Sequence, residues 1–151
     1  MTTTTAPPTA SKAAESVLLS SLLDFAQAHQ DQLARTAADL GITVPQARAL
    51  YHVVTAPTVR KLAVKLRCDA SYVTGLVDRL EERKLMKRQV DPDDRRVKML
   101  TLTAAGRRMH TKVARTMDTA PALEALTDEE KTRLGALLEK VSAQAPAPAG
   151  R

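Results

Sequence analysis

TVRKLAVKLRCDASYVTGLVDRLEERKLMKRQVDPDDRRVKMLTLT, running from Thr58 to Thr103, decides how the rest of the 151-residue chain is read. Thr58 is placed to cap a helix, because its hydroxyl can accept from the free N–H groups of a first turn. Val59, Leu62, Ala63 and Leu66 follow at helical spacing and make one apolar face, with Arg60, Lys61 and Lys65 on the opposite side. The pattern stops for Arg67, Cys68 and Asp69. A second helix follows, capped by Asp69 or Ser71, with Val73, Leu76, Val77 and Leu80 as its buried stripe. Two short helices joined by a turn of about three to four residues predict a helix-turn-helix.

The polar side of the second helix carries Ser71, Thr74, Gly75, Asp78 and Arg79, with Tyr72 at its edge. Serine and threonine can donate to or accept from base edges, and arginine can pair with guanine or a phosphate. Gly75 specifies nothing but permits close approach. The competing reading is the solvated face of an ordinary helix, and the residues beyond the helix separate the two. The helix is predicted to end near Arg83 and Lys84, and Leu85 to Val90 read as a strand. Asp91, Pro92, Asp93 and Asp94 form a turn, and Val97 to Leu102 alternate as a second strand. This hairpin is a wing with Arg95 and Arg96 near its tip, residues suited to a narrow minor groove.

These residues resemble the MarR family of winged-helix regulators. Asp94-Arg95-Arg96, five further residues and Leu102-Thr103 match that family's D-x-R-x5-L-T wing signature, and Ser71 to Glu81 look like its recognition helix. The resemblance is close from Thr58 to Gly106 and only by pattern beyond. It implies that Arg96 enters the minor groove and that Asp94 orients it through a salt bridge. Arg95 and Lys98 would accompany it on the wing, while Ser71, Tyr72, Thr74, Gly75 and Arg79 would face the major groove. Arg60, Lys61 and Lys65 are candidates for the DNA backbone. It further implies a homodimer, double-stranded DNA as partner, most often repression, and release by a small apolar or phenolic ligand. One departure is Lys84, where the family usually has glycine. A left-handed residue often closes a helix there, at roughly 1 kcal/mol for a residue with a side chain.

Charge supports a polyanion partner. The net charge is +6, but residues 58–115 hold 16 Lys plus Arg against 7 Asp plus Glu, while the segments on either side are slightly negative. A basic membrane-binding patch would not need a helix-turn-helix followed in register by a wing. No apolar run approaches the roughly 20 residues of a membrane span. MTTTTAPPTA lacks a charged start and an apolar signal core, so a cytoplasmic protein is expected. Cys68 is the one cysteine, which excludes an intrachain disulfide. Its place before the second helix suggests a lowered thiol pKa and a redox switch; the plainer reading is a small, partly buried turn residue.

The fold class expected is mainly α with a small β-hairpin wing: a winged helix-turn-helix head flanked by N- and C-terminal dimerisation helices. Residues 1–12 read as a tail, 13–142 as one domain with the head at about 43–103, and 143–151 as a second tail. Leu18, Leu22, Phe25, His29, Leu33, Ala37 and Leu40 recur along a helix over about 13–40, ended by Gly41. Thr43 and Gln46 make a capping box with Pro45 in the first turn, and Ala47, Leu50, Val53 and Val54 give that helix its apolar side. Thr103 caps a helix to about Thr119, and Thr127 to Glu130 begin a last one whose stripe is Leu134, Leu137, Leu138 and Val141. Leu18, Leu22 and Phe25 with that last stripe are the dimer-interface candidates.

No constellation for catalysis is present: no glycine-rich phosphate loop, no H-E-x-x-H and no recognisable Ser-His-Asp signature. An enzyme, a cofactor and a metal are therefore not expected. His29, His52 and His110 lie on separate helices and read more simply as interface or surface residues than as ligands. The alternative to DNA regulation is a winged-helix interaction module whose basic face binds an acidic protein or RNA.

Overall fold

The structure, a computed structural model, describes residues 10–91, 94 and 96–144. Its elements are α1 (Ala10–Asp39), α2 (Val44–His52), α3 (Val59–Leu66), α4 (Ala70–Glu82), β1 (Met86–Val90), β2 (Lys98–Leu102), α5 (Ala104–Asp118) and α6 (Asp128–Ser142). A 3-10 turn, Pro121–Ala125, joins α5 to α6. The expected class holds: helices with one antiparallel hairpin. α1 begins at Ala10, so the expected tail at 1–12 is helical in its last three residues. Residues 1–9 and 145–151 lie outside the described residues.

The helix starts follow from their caps. Thr43, Thr58, Thr103 and Thr127 all sit at N-cap positions in extended backbone, each hydroxyl accepting from the amide three residues on. Thr43 with Gln46 and Thr127 with Glu130 complete reciprocal capping boxes. Asp69 occupies the cap position of α4, but its side chain makes no capping bond, and Ser71 lies inside the helix.

Three helix ends share one device. Gly41, Arg67 and Lys84 all have positive φ, at 62°, 54° and 56°. After each, two amides reach back across the turn: Gly41 to Ala38 and Ile42 to Ala37, Arg67 to Val64 and Cys68 to Ala63, Lys84 to Glu81 and Leu85 to Leu80. This is a paired closure in which a left-handed residue satisfies the last carbonyls. Lys84 thus adopts the conformation for which the family uses glycine.

The core lies where α2, α3 and α4 meet the hairpin and α5. Leu50, Leu62, Val73, Val77, Leu80, Met86, Leu100 and Val113 are all essentially inaccessible. β1 pairs with β2 from Met86↔Leu102 to Val90↔Lys98. The far edge of β2 receives one more bond, as the Leu100 amide donates to the Pro57 carbonyl at 2.7 Å. The turn into α3 is thereby sewn to the hairpin. Gly106 seats α5 against the hairpin's base: a Cβ there would stand 1.8 Å from the Leu85 carbonyl oxygen.

α1 divides in two. Leu33 and Ala37 are buried in the core, while Val17, Leu18, Leu19 and Leu23 are more than half exposed. No residue of α6 is buried. No helix among the described residues is long and apolar enough to cross a membrane.

Candidate nucleic-acid interface

The helix-turn-helix is α3, the three-residue turn Arg67, Cys68 and Asp69, and α4. Val73, Leu76, Val77 and Leu80 turn into the core. Helical geometry then forces Ser71, Tyr72, Thr74, Gly75, Asp78 and Arg79 outward, and all six are exposed. A Cβ built on Gly75 meets nothing within 4 Å, so this face is open at its middle. The Thr74 hydroxyl donates to the Ala70 carbonyl at 2.9 Å, leaving its oxygen lone pairs to meet an outside donor. Arg60, Lys61 and Lys65 are exposed on α3.

On the wing, Asp94, Arg96 and Lys98 are exposed, and Arg95 lies outside the described residues, as do Pro92 and Asp93 of the expected turn. The expected Asp94–Arg96 salt bridge is corrected. The contact is the Arg96 backbone amide donating to the Asp94 carboxylate at 2.9 Å. Two residues is the span of a side-chain-to-backbone turn, so the carboxylate shapes the tip while the guanidinium stays out. The Val97 amide bonds the Asp94 carbonyl and the Asp91 amide bonds the Val97 carbonyl, both at 2.9 Å, closing the turn.

One residue that the sequence did not single out joins helix and wing. Arg88 of β1 pairs with Asp78 at 2.7 Å and with Glu81, and its guanidinium also reaches the Thr74 carbonyl at 3.4 Å. Glu81 accepts the Arg88 amide as well, at 2.7 Å. A basic residue inside a basic strand carries no sign of its partners. Its alternation onto the side of Met86, facing α4, was the available clue.

Cys68 is half-buried, and burial pushes its thiol pKa up, with Asp69 adding to the rise. This is opposite in direction to the lowering expected from the helix N-terminus. His52 and His110 do converge, on the ring of Tyr51: edge-on at 4.9 Å and stacked at 6.3 Å. The Tyr51 hydroxyl donates to Asp118, and this bond raises the phenol's pKa. Burial lowers the pKa of His52, helped by Arg48 and Lys65. Among the described residues no three metal-ligating side chains cluster. A cavity of ≈ 390 Å³ opens between α1 and α2, lined by His29, Gln30, Leu33, Val44, Arg48 and Met117 among others.

Of the dimer-interface candidates, Leu18, Phe25, Leu137, Leu138 and Val141 are exposed, and Leu22 and Leu134 are half-buried. Among the described residues none has a full complement of neighbours.

Residues 42–98 match the model of the MarR family. Over 75 residues the chain is 37% identical to YhbI of Bacillus subtilis (strain 168), an uncharacterized HTH-type transcriptional regulator. That match takes in 48% of this chain and 49% of YhbI, so the chain spans about half the length of this relative. Among solved structures, the YusO protein of Bacillus subtilis superposes with a TM-score of 0.63 at 27% identity, over 91% of this chain and 100% of YusO. BpsR of Bordetella bronchiseptica, whose DNA binding is regulated by 6-hydroxynicotinic acid, gives 0.63 at 26% identity, over 83% and 98% of the two chains. By this family match and this shared fold, residues 42–98 of the chain are similar to the winged helix-turn-helix of the MarR family.

Proposed function

We propose that this chain is a transcriptional regulator that binds double-stranded DNA as a homodimer, most naturally as a repressor. The observation that carries the reading is the exposed polar face of α4, tied through Arg88 to a wing that presents Arg96 and Lys98. In it Ser71, Tyr72, Thr74, Gly75 and Arg79 meet the major groove, and Asp94 shapes the tip from which Arg95 and Arg96 enter the minor groove. Arg60, Lys61 and Lys65 hold the phosphate backbone. Two copies related by a two-fold axis place two α4 helices on successive major grooves about 34–36 Å apart, which requires a near-palindromic operator. YhbI, an HTH-type transcriptional regulator, and BpsR, a DNA binder, support the same reading.

Regulation by a small apolar or phenolic ligand fits the ≈ 390 Å³ cavity, because its walls come both from α1 and from α2 of the head. A molecule lodged there can change the angle between them. BpsR answers to a small aromatic acid, and Arg48 would supply the matching cation here.

Fluorescence anisotropy against a duplex from the region upstream of the chain's own coding sequence tests the reading, with random duplex and RNA as competitors. Binding should weaken steeply with salt as phosphate contacts release counterions. Arg96→Ala should weaken it by about tenfold, within the roughly 1–3 kcal/mol of a good arginine contact. Unchanged thermal unfolding is expected, since Arg96 is exposed. Affinity equal to the unsubstituted chain's would remove the wing from the interface, and preference for RNA would favour the interaction-module alternative.

A further inference from the structure

Arg88 sits in the middle of the hairpin, opposite Leu100. Directly opposed residues of an antiparallel pair share a face, and Leu100 is 2% exposed. Arg88 therefore points toward the core side, where a cation needs counter-charges to offset its lost hydration. α4 supplies three acceptors: the carboxylates of Asp78 and Glu81 and the carbonyl of Thr74. A forked guanidinium can serve two carboxylates at once, which an ammonium does less well.

The two carboxylates differ in setting. The Glu81 side chain is 29% exposed and also holds the Arg88 amide. The Asp78 side chain is 51% exposed, one residue before Arg79 and one helical turn after Thr74. An unpaired carboxylate at that point would repel any phosphate approaching the helix. Resting on the DNA-binding reading of the chain, we infer that Arg88 is a positioning residue rather than a DNA contact. It cancels the charge of Asp78 on the reading face and fixes β1 against α4, so that helix and wing engage one duplex together.

A double-mutant cycle on binding to a fluorescein-labelled mixed-sequence duplex tests this. Asp78→Asn alone should change affinity by less than about threefold, because its charge is already cancelled. Arg88→Met should weaken binding by about tenfold, and Asp78→Asn in that background should recover about threefold or more. The signature is that non-additivity, which contacting groups show and independent ones do not. Were Arg88 itself a phosphate contact, Asp78→Asn would help equally in both backgrounds, and additive effects overturn the inference. So does an Arg88→Met chain that binds like the parent. Thermal unfolding accompanies each variant. If Arg88→Met does not fold, Arg88→Lys takes its place, with the same sign of coupling required at about twofold. Failure of the unsubstituted chain to bind any duplex would instead overturn the DNA reading and this inference with it; additivity with duplex binding intact overturns this inference alone.

Discussion

At the scale of single residues, two glycines show how the same substitution has opposite consequences. Gly106 has no room for a methyl group, since its Cβ would lie 1.8 Å from the Leu85 oxygen and 2.9 Å from the Leu85 carbon. Both are backbone atoms, and that oxygen is held by the Thr103 amide at 3.1 Å. Neither can swing aside as a side chain would. Gly106→Ala should therefore cost at least the roughly 3 kcal/mol at the top of the overpacking range, read as a lowered urea midpoint. Gly75, also helical, faces open space. Gly75→Ala should stabilise the fold by roughly 0.5–1 kcal/mol, the helical cost of glycine, while weakening duplex binding where the backbone must come close. A Gly75→Ala chain that is more stable and binds as before would take Gly75 out of the interface. The sequence marked Gly75 as a place of close approach, but nothing in it marked Gly106 as a packing constraint. Its constraint comes from Leu85, 21 residues away, and no local pattern reports a long-range backbone contact.

At the scale of elements, beginnings were more legible than ends. A helix start depends on one hydroxyl and the amide three residues later, both local, and Thr43, Thr58, Thr103 and Thr127 all cap as their sequence context suggests. The left-handed ends at Arg67 and Lys84 are occupied by residues that give no such signal. Only the family's habit of glycine at the second position exposed one of them. Arg88 was missed for a related reason, since its partners Asp78 and Glu81 belong to another element. Lys84→Gly tests the closure directly. Relief of the left-handed strain is worth about 1–2 kcal/mol, and the added freedom of the unfolded glycine takes back roughly 0.5–1. The Lys84 side chain is exposed, and the Thr103 hydroxyl bonds its backbone carbonyl at 2.7 Å, a contact glycine keeps. The net expectation is roughly 0–1.5 kcal/mol in favour of glycine, a melting temperature unchanged or raised by up to about 4 °C for a chain of this size. A lower melting temperature would mean that the lysine contributes something the geometry does not reveal.

At the scale of the whole molecule, apolar side chains stand exposed on two helices. α1 is 30 residues long, about 45 Å at 1.5 Å per residue, yet only its C-terminal part reaches the core. Val17, Leu18, Leu19 and Leu23 on its N-terminal half, and Leu137 and Val141 on α6, are each more than half exposed. Burying one such side chain fully is worth about 1.5–3 kcal/mol, so a second copy covering both helices would gain several times that. Single exposed leucines are ordinary, whereas runs of them on two helices mark an interaction surface. On the proposed reading the pairing would also bear on DNA affinity, because a dimer tethers its second reading head beside the first and makes that contact effectively intramolecular. Leu18→Glu combined with Leu138→Glu should therefore give a monomer by sedimentation at micromolar concentration. The α4 face and the wing lie outside the substituted helices, so the head should stay folded by circular dichroism. Duplex affinity should fall by about a hundredfold, within the range that avidity supplies. A double variant that stays dimeric would move the interface off these helices. One that becomes monomeric and still binds duplex as tightly as before would show that each head reads DNA alone, and the requirement for a near-palindromic site would go with it.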